Sequence, residues 1–72
     1  MKPDVVFRSQ RDGRFLVMLT TTQHVENMGC MVVRETDGSV DTLQPQEIIS
    51  QDQLGFYVWH LTERGHKVAI VA

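Results

Sequence analysis

The side chains best suited to chemistry are few. His24, Cys30, His60 and His66 are the residue types that bind zinc and related metals. A structural metal site needs two donors close enough in sequence to reach one ion, as in Cys-x-x-Cys or His-x-x-x-His. Neither spacing occurs here. The expectation is a small buried cysteine in a strand and histidines at the surface. Nucleophilic catalysis would need Cys30 or a serine beside a positioned histidine, and no local signature marks such a pair. The acidic residues form no convergent pair. Gly13, Gly29, Gly38, Gly55 and Gly65 are spread as turn and helix-end residues and do not gather into a phosphate loop. A chain of 72 residues also leaves little room for a small-molecule pocket of roughly 300 Å³. The residues point to no enzyme, no cofactor and no metal.

Binding chemistry has more to work with. Arg8, Arg11 and Arg14 bracket an Asp-Gly turn, and Phe7 or Phe15 stands near for base stacking. Three arginines on one hairpin could grip phosphates, or they could simply keep a sheet edge solvated. The net charge of −2 weighs against nucleic acid as the partner. That charge is uneven. Residues 15–63 hold Arg34 as their one Lys or Arg, against Glu26, Glu35, Asp37, Asp41, Glu47, Asp52 and Glu63, while both ends of the chain are basic. The ends can fold back to complement the acidic middle, or the middle can dock on a basic protein surface.

The strongest local pattern lies in the last third. Ser50 and Gln53 have the spacing of a capping box, and Asp52 puts negative charge in the first helical turn, where the helix dipole favours it. Leu54, Tyr57, Val58 and Leu61 then recur as the stripe of a half-buried helix. Arg64 and Gly65 supply the stop, because glycine enters the left-handed region without penalty. On a wheel of about 100° per residue, Phe56 and Trp59 leave that stripe and share a face with Asp52 and Glu63. Two large aromatics on the polar side of a short helix should either be covered by the rest of the chain or meet a partner. The partner-binding candidates are therefore Phe7, Arg8, Arg11 and Arg14 at the N-terminal hairpin, and Phe56, Trp59 and Glu63 on the helix.

The other elements follow in order. Residues 4–9 read as a first strand, and Asp12-Gly13 as a hairpin turn. Residues 15–22 are apolar in both phases up to Leu19, which predicts a central strand covered on both faces. Residues 23–29 read as a loop, 30–35 as a third strand, Asp37-Gly38 as a second turn and 40–43 as a fourth strand. Pro45 opens an expected helical turn to Ile49. The run Lys67 to Ala72 reads as a last strand covered on both faces. The fold class is α+β: a four-stranded antiparallel meander, one helix and a C-terminal strand, with a single layer of helix on sheet. The alternative is an SH3-like barrel over residues 4–49, with the helix and last strand appended.

Residues 1–72 read as one compact domain, with an apolar fraction of 42% that suffices for one core. A single cysteine allows no internal disulfide and points to a reducing compartment. Met1-Lys2-Pro3-Asp4 leads straight into a strand without a signal sequence, and no segment approaches the roughly 20 apolar residues of a membrane span. The expected location is the cytoplasm, as a monomer or weak homodimer, with no membrane partner.

A small intracellular domain with two Asp-Gly hairpins and no active-site motif resembles the compact proteins that phages make to take over host machines. Those that bind and inhibit host RNA polymerase are closest in kind, and the opening Met1-Lys2-Pro3-Asp4-Val5-Val6-Phe7-Arg8-Ser9 has that character. The resemblance implies a non-enzymatic regulator of transcription, acting in the host cytoplasm on a larger protein such as an RNA polymerase subunit. It assigns no residue. A second likeness is to the small SH3-like barrels. It is carried by Asp4-Val5-Val6, by Val32-Val33-Arg34-Glu35-Thr36-Asp37-Gly38 and by Thr42-Leu43-Gln44-Pro45-Gln46-Glu47-Ile48-Ile49. It implies the other reading, a nucleic-acid-binding module that uses the arginine hairpin. The two separate by salt: phosphate-driven binding weakens steeply as salt rises.

Overall fold

The computed structural model describes residues 2–19, 31–34 and 37–72. Its elements are β1 (Val5–Ser9), β2 (Phe15–Leu19), β3 (Met31–Arg34), β4 (Val40–Leu43), β5 (Ile48–Ile49), α1 (Gln51–Glu63) and β6 (Val68–Val71). The class is α+β, as the sequence suggests. The expected loop at 23–29, the end of the second strand at 20–22 and the flanks Cys30 and Glu35 of the third lie outside the described residues.

Both Asp-Gly turns form for the reason their residues give. In the first, Gly13 takes φ 84° and donates its N–H to the Gln10 carbonyl at 3.2 Å. Asp12 Oδ1 accepts the Arg14 N–H at 3.0 Å. In the second, Gly38 takes φ 90°, and Asp37 Oδ1 accepts from the Ser39 N–H at 2.9 Å and from its hydroxyl at 2.6 Å. A residue with a Cβ would be strained at either glycine.

The sheet corrects the expected meander. β1–β2 and β3–β4 are antiparallel pairs, but the four-stranded sheet runs β5-β2-β1-β6, and β3–β4 is a separate two-stranded sheet. The four-stranded sheet is mixed, because β6 lies parallel to β1. The last strand is thus a member of the sheet and not an appendage. Its entry is fixed by the Lys67 carbonyl, which accepts the N–H groups of Asp4 at 2.7 Å and Val5 at 3.2 Å.

The expected helical turn at Pro45 is also corrected. Residues 45 and 46 form a turn with Gln46 at φ 67°, and Ile48–Ile49 pairs with Leu16 and Phe15 as β5. Val17 explains the outcome. Its N–H donates to the Glu47 carbonyl at 2.9 Å, and its carbonyl accepts the Gln46 N–H at 2.8 Å. Buried backbone groups need partners, and supplying them to β2 outweighs the local preference of proline for a helix start.

The helix follows its sequence closely. Ser50 Oγ accepts the Gln53 N–H at 3.2 Å, and Gln53 Oε1 accepts the Ser50 N–H at 2.9 Å, a complete capping box. At the other end, His66 N–H bonds to the Leu61 carbonyl and Gly65 N–H to the Thr62 carbonyl, each at 3.0 Å, with Gly65 at φ 85°. This is the Schellman arrangement.

The core is one face of the sheet. Val5 and Phe7 of β1, Val17 of β2 and Ile49 of β5 are buried there. Tyr57 and Leu61 of α1 and Val33 and Leu43 of the β3–β4 pair join the same cluster. The sheet thus packs on residues of β3 and β4 as well as on the helix. Leu54 and Val58, expected in the buried stripe, are half-buried and pack on this cluster.

The second strand, expected to be covered on both faces, has Val17 buried and Leu16 and Met18 half-buried, whereas the last strand, expected to be covered likewise, is exposed at Ile70 and Val71. The register places Val6, Leu16, Met18, Ile48, Ala69 and Val71 on the opposite face, with Arg8 as its charged member. Ile48 and Val71 are exposed, and Ile70 is 55% exposed on β6.

Candidate protein-docking surface

The seven candidate residues fall on two elements. Phe7 is fully buried in the core, so it belongs to the scaffold rather than to any surface. Arg8 and Arg11 are exposed on the β1–β2 hairpin. Arg14 is exposed but engaged. Its Nε donates to Asp12 Oδ2 at 2.7 Å, and its Nη2 lies 2.6 Å from the same oxygen. That hydrogen bond, first, and the Arg14 backbone N–H, second, hold the Asp12 carboxyl below its usual range. The reciprocal contact raises the Arg14 guanidinium. Asp12 therefore neutralises one of the three arginines on which phosphate gripping would rely.

The helix group divides differently. Trp59 is 55% exposed and Glu63 is exposed. Phe56 is half-buried and packs on the core. Its ring meets Tyr57 edge-on, with centroids 5.3 Å apart and planes at 71°. Thus the chain covers one aromatic of the pair and presents the other. The wheel position explains the split: Phe56 sits nearer than Trp59 to the buried Tyr57 side. His60 lies against both, 4.4 Å from the Phe56 centroid and 4.5 Å from that of Trp59. Its Nε2 is buried, with no hydrogen-bond partner among the described residues.

Beside Phe56 the surface opens into a hollow of about 250 Å³ lined by Asp41, Asp52, Gln53, Phe56 and Tyr57. β4 supplies Asp41, and the first two turns of α1 supply the rest. The Tyr57 hydroxyl donates to Asp41 Oδ2, and Asp41 Oδ1 accepts the Thr42 N–H at 2.8 Å. Two carboxylates and two aromatic rings around one concavity suit a cationic side chain, which gains charge pairing and ring-face attraction together.

Sequence reasoning did not single out Asp41, Gln53 or Tyr57 as site residues. One signal was available: a tyrosine in a buried helical stripe carries a hydroxyl that needs a partner, and an acid on a short strand can supply it. Among the described residues, no group of three or more His, Cys, Asp and Glu is placed to hold a metal ion, and no helix is long and apolar enough to cross a membrane.

No protein-family model, curated protein or solved structure matches this chain.

Proposed function

We propose that this chain is a non-enzymatic regulatory protein that binds a larger protein complex of a host cell and modulates its work. RNA polymerase is the first partner to test, because the resemblance to small phage regulators points there. The observation that carries the reading is Trp59, 55% exposed on the outward face of a well-capped helix. Exposed tryptophans are frequent anchors of protein interfaces. The hollow formed by Asp41 of β4 with Asp52, Gln53, Phe56 and Tyr57 of the same helix supports a partner surface that is basic at that point. Regulation follows from occupancy: a bound domain blocks whatever else uses the same contact surface.

The test is single-round transcription by purified host RNA polymerase, with increasing amounts of this protein, together with a binding assay on the nuclease-treated enzyme. The expected result is saturable binding that falls only modestly between about 50 and 200 mM salt, with a matching change in transcript yield. Absence of binding would remove RNA polymerase as the partner. Retention of DNA or RNA that Arg11→Glu abolishes and salt steeply weakens would favour the nucleic-acid-binding reading.

A further inference from the structure

The four-stranded sheet has two edges of very different kind. β5 is two residues long and runs directly out of the turn at Pro45 and Gln46. β6 is four residues, Val68-Ala69-Ile70-Val71, with no charge and no proline among them to protect the edge. Ile70 is 55% and Val71 41% exposed.

The register fixes which backbone groups of β6 point outward. Val5 pairs with Val68, and its N–H donates to the Lys67 carbonyl at 3.2 Å. In a parallel ladder, Lys67, Ala69 and Val71 then turn their polar groups toward β1, while Val68 and Ile70 turn theirs away. Among the described residues no strand lies on that outer side.

We infer that β6 is a self-association edge, at which a second copy of this chain adds its own β6 antiparallel. The register that pairs every outward group of both strands about a twofold axis sets Val68 opposite Ile70 of the second copy, with Ala69 facing its own counterpart on the axis. Both Val68–Ile70 pairs then exchange two backbone hydrogen bonds, satisfying all four outward groups of each strand. Ile70 packs beside Val68 across the junction, and alanine leaves the crossing point unobstructed. Charge also selects this register. It sets Lys67 opposite Val71, whereas sliding the strands until Val68 lies opposite His66 would bring the two Lys67 ammonium groups together. The two sheets become one of eight strands, and the apolar face of Val6, Leu16, Met18, Ile48, Ala69 and Val71 runs on across the junction. Two paired four-residue strands bury well under the roughly 800 Å² per partner of a standard stable interface. The dimer is accordingly weak and concentration-dependent.

The experiment is sedimentation equilibrium of the full chain across a wide concentration range, with amide exchange followed by NMR on the same samples. The weight-average mass should rise from 8.2 kDa toward twice that value, with the Val68 and Ile70 amides gaining protection as it does. Ile70→Lys should keep the mass at the monomer value with unchanged circular dichroism, since the side chain is exposed in the monomer. Ile70→Pro removes an outward N–H that no described strand of the same chain uses, and should do the same. A mixed labelled and unlabelled sample should show a contact between the Ala69 α-protons of two copies. A wild-type mass that stays monomeric at millimolar concentration would overturn the inference. So would a dimer that survives both folded variants or protects other amides instead.

Discussion

The Tyr57 hydroxyl donates a hydrogen bond to Asp41 Oδ2, joining the buried side of α1 to β4 at the rim of the acidic hollow. The bond lets a buried ring keep its polar end satisfied without giving up its place in the core. Tyr57→Phe keeps the ring and removes the donor, and should cost about 1–2 kcal/mol by chemical denaturation. If the hollow receives a cation, the same variant should change binding less than Asp52→Asn does.

Leu61 and Trp59 share one helix and should respond in opposite ways. Leu61 is fully buried, so Leu61→Ala should cost about 2–4 kcal/mol of stability. Trp59→Ala should stay within about 1 kcal/mol, because more than half of the side chain already meets solvent. Thermal melts of the two variants beside the wild type check both.

The capping box makes Ser50 a point of leverage for the whole helix. Ser50→Ala removes the acceptor of the Gln53 N–H and should cost about 1 kcal/mol. Ser50→Asp should restore most of the loss, since a carboxylate accepts the same bond and favours the helix dipole. Denaturant midpoints of the pair test this.

Asp12 gives the hairpin a pH signature. Its carboxyl is held below the usual range, chiefly by the Arg14 side chain. A lowered folded-state pKa means a contribution present above the unfolded value and lost as pH falls through the folded one. Carbon-detected NMR titration should therefore place the Asp12 midpoint below 3.8 in the wild type. Arg14→Gln should move it upward. An unchanged midpoint would mean that the ion pair is not maintained in solution.

Much of this fold was legible where neighbours in sequence determine it. Ser50 and Gln53, Gly65, Asp12-Gly13 and Asp37-Gly38 each state their local geometry, and each adopts it. What failed depends on partners distant in the chain. Nothing near Pro45 says that Val17 will need backbone partners, and nothing near Val68 says that Val5 will lie beside it in parallel. An apolar run reads the same whether its neighbours in space cover it or leave it at a sheet edge, so the exposure of Ile70 and Val71 was not visible. The helix wheel did set Phe56 and Trp59 apart from the buried stripe. It could not show that Tyr57 and the core would take up Phe56, nor that the Asp41 carboxylate would come within reach of Tyr57.

The central claim is that the outward face of α1, with Trp59 at its centre, binds a protein partner. The most direct measurement is paired: the thermal midpoint of wild type and Trp59→Ala, and the affinity of each for nuclease-treated RNA polymerase. The expected result is nearly equal midpoints and a loss of about 2 kcal/mol in binding, roughly thirtyfold in Kd, for the variant. Equal affinity of the two folded proteins for the polymerase, or a variant that simply unfolds, would contradict the claim.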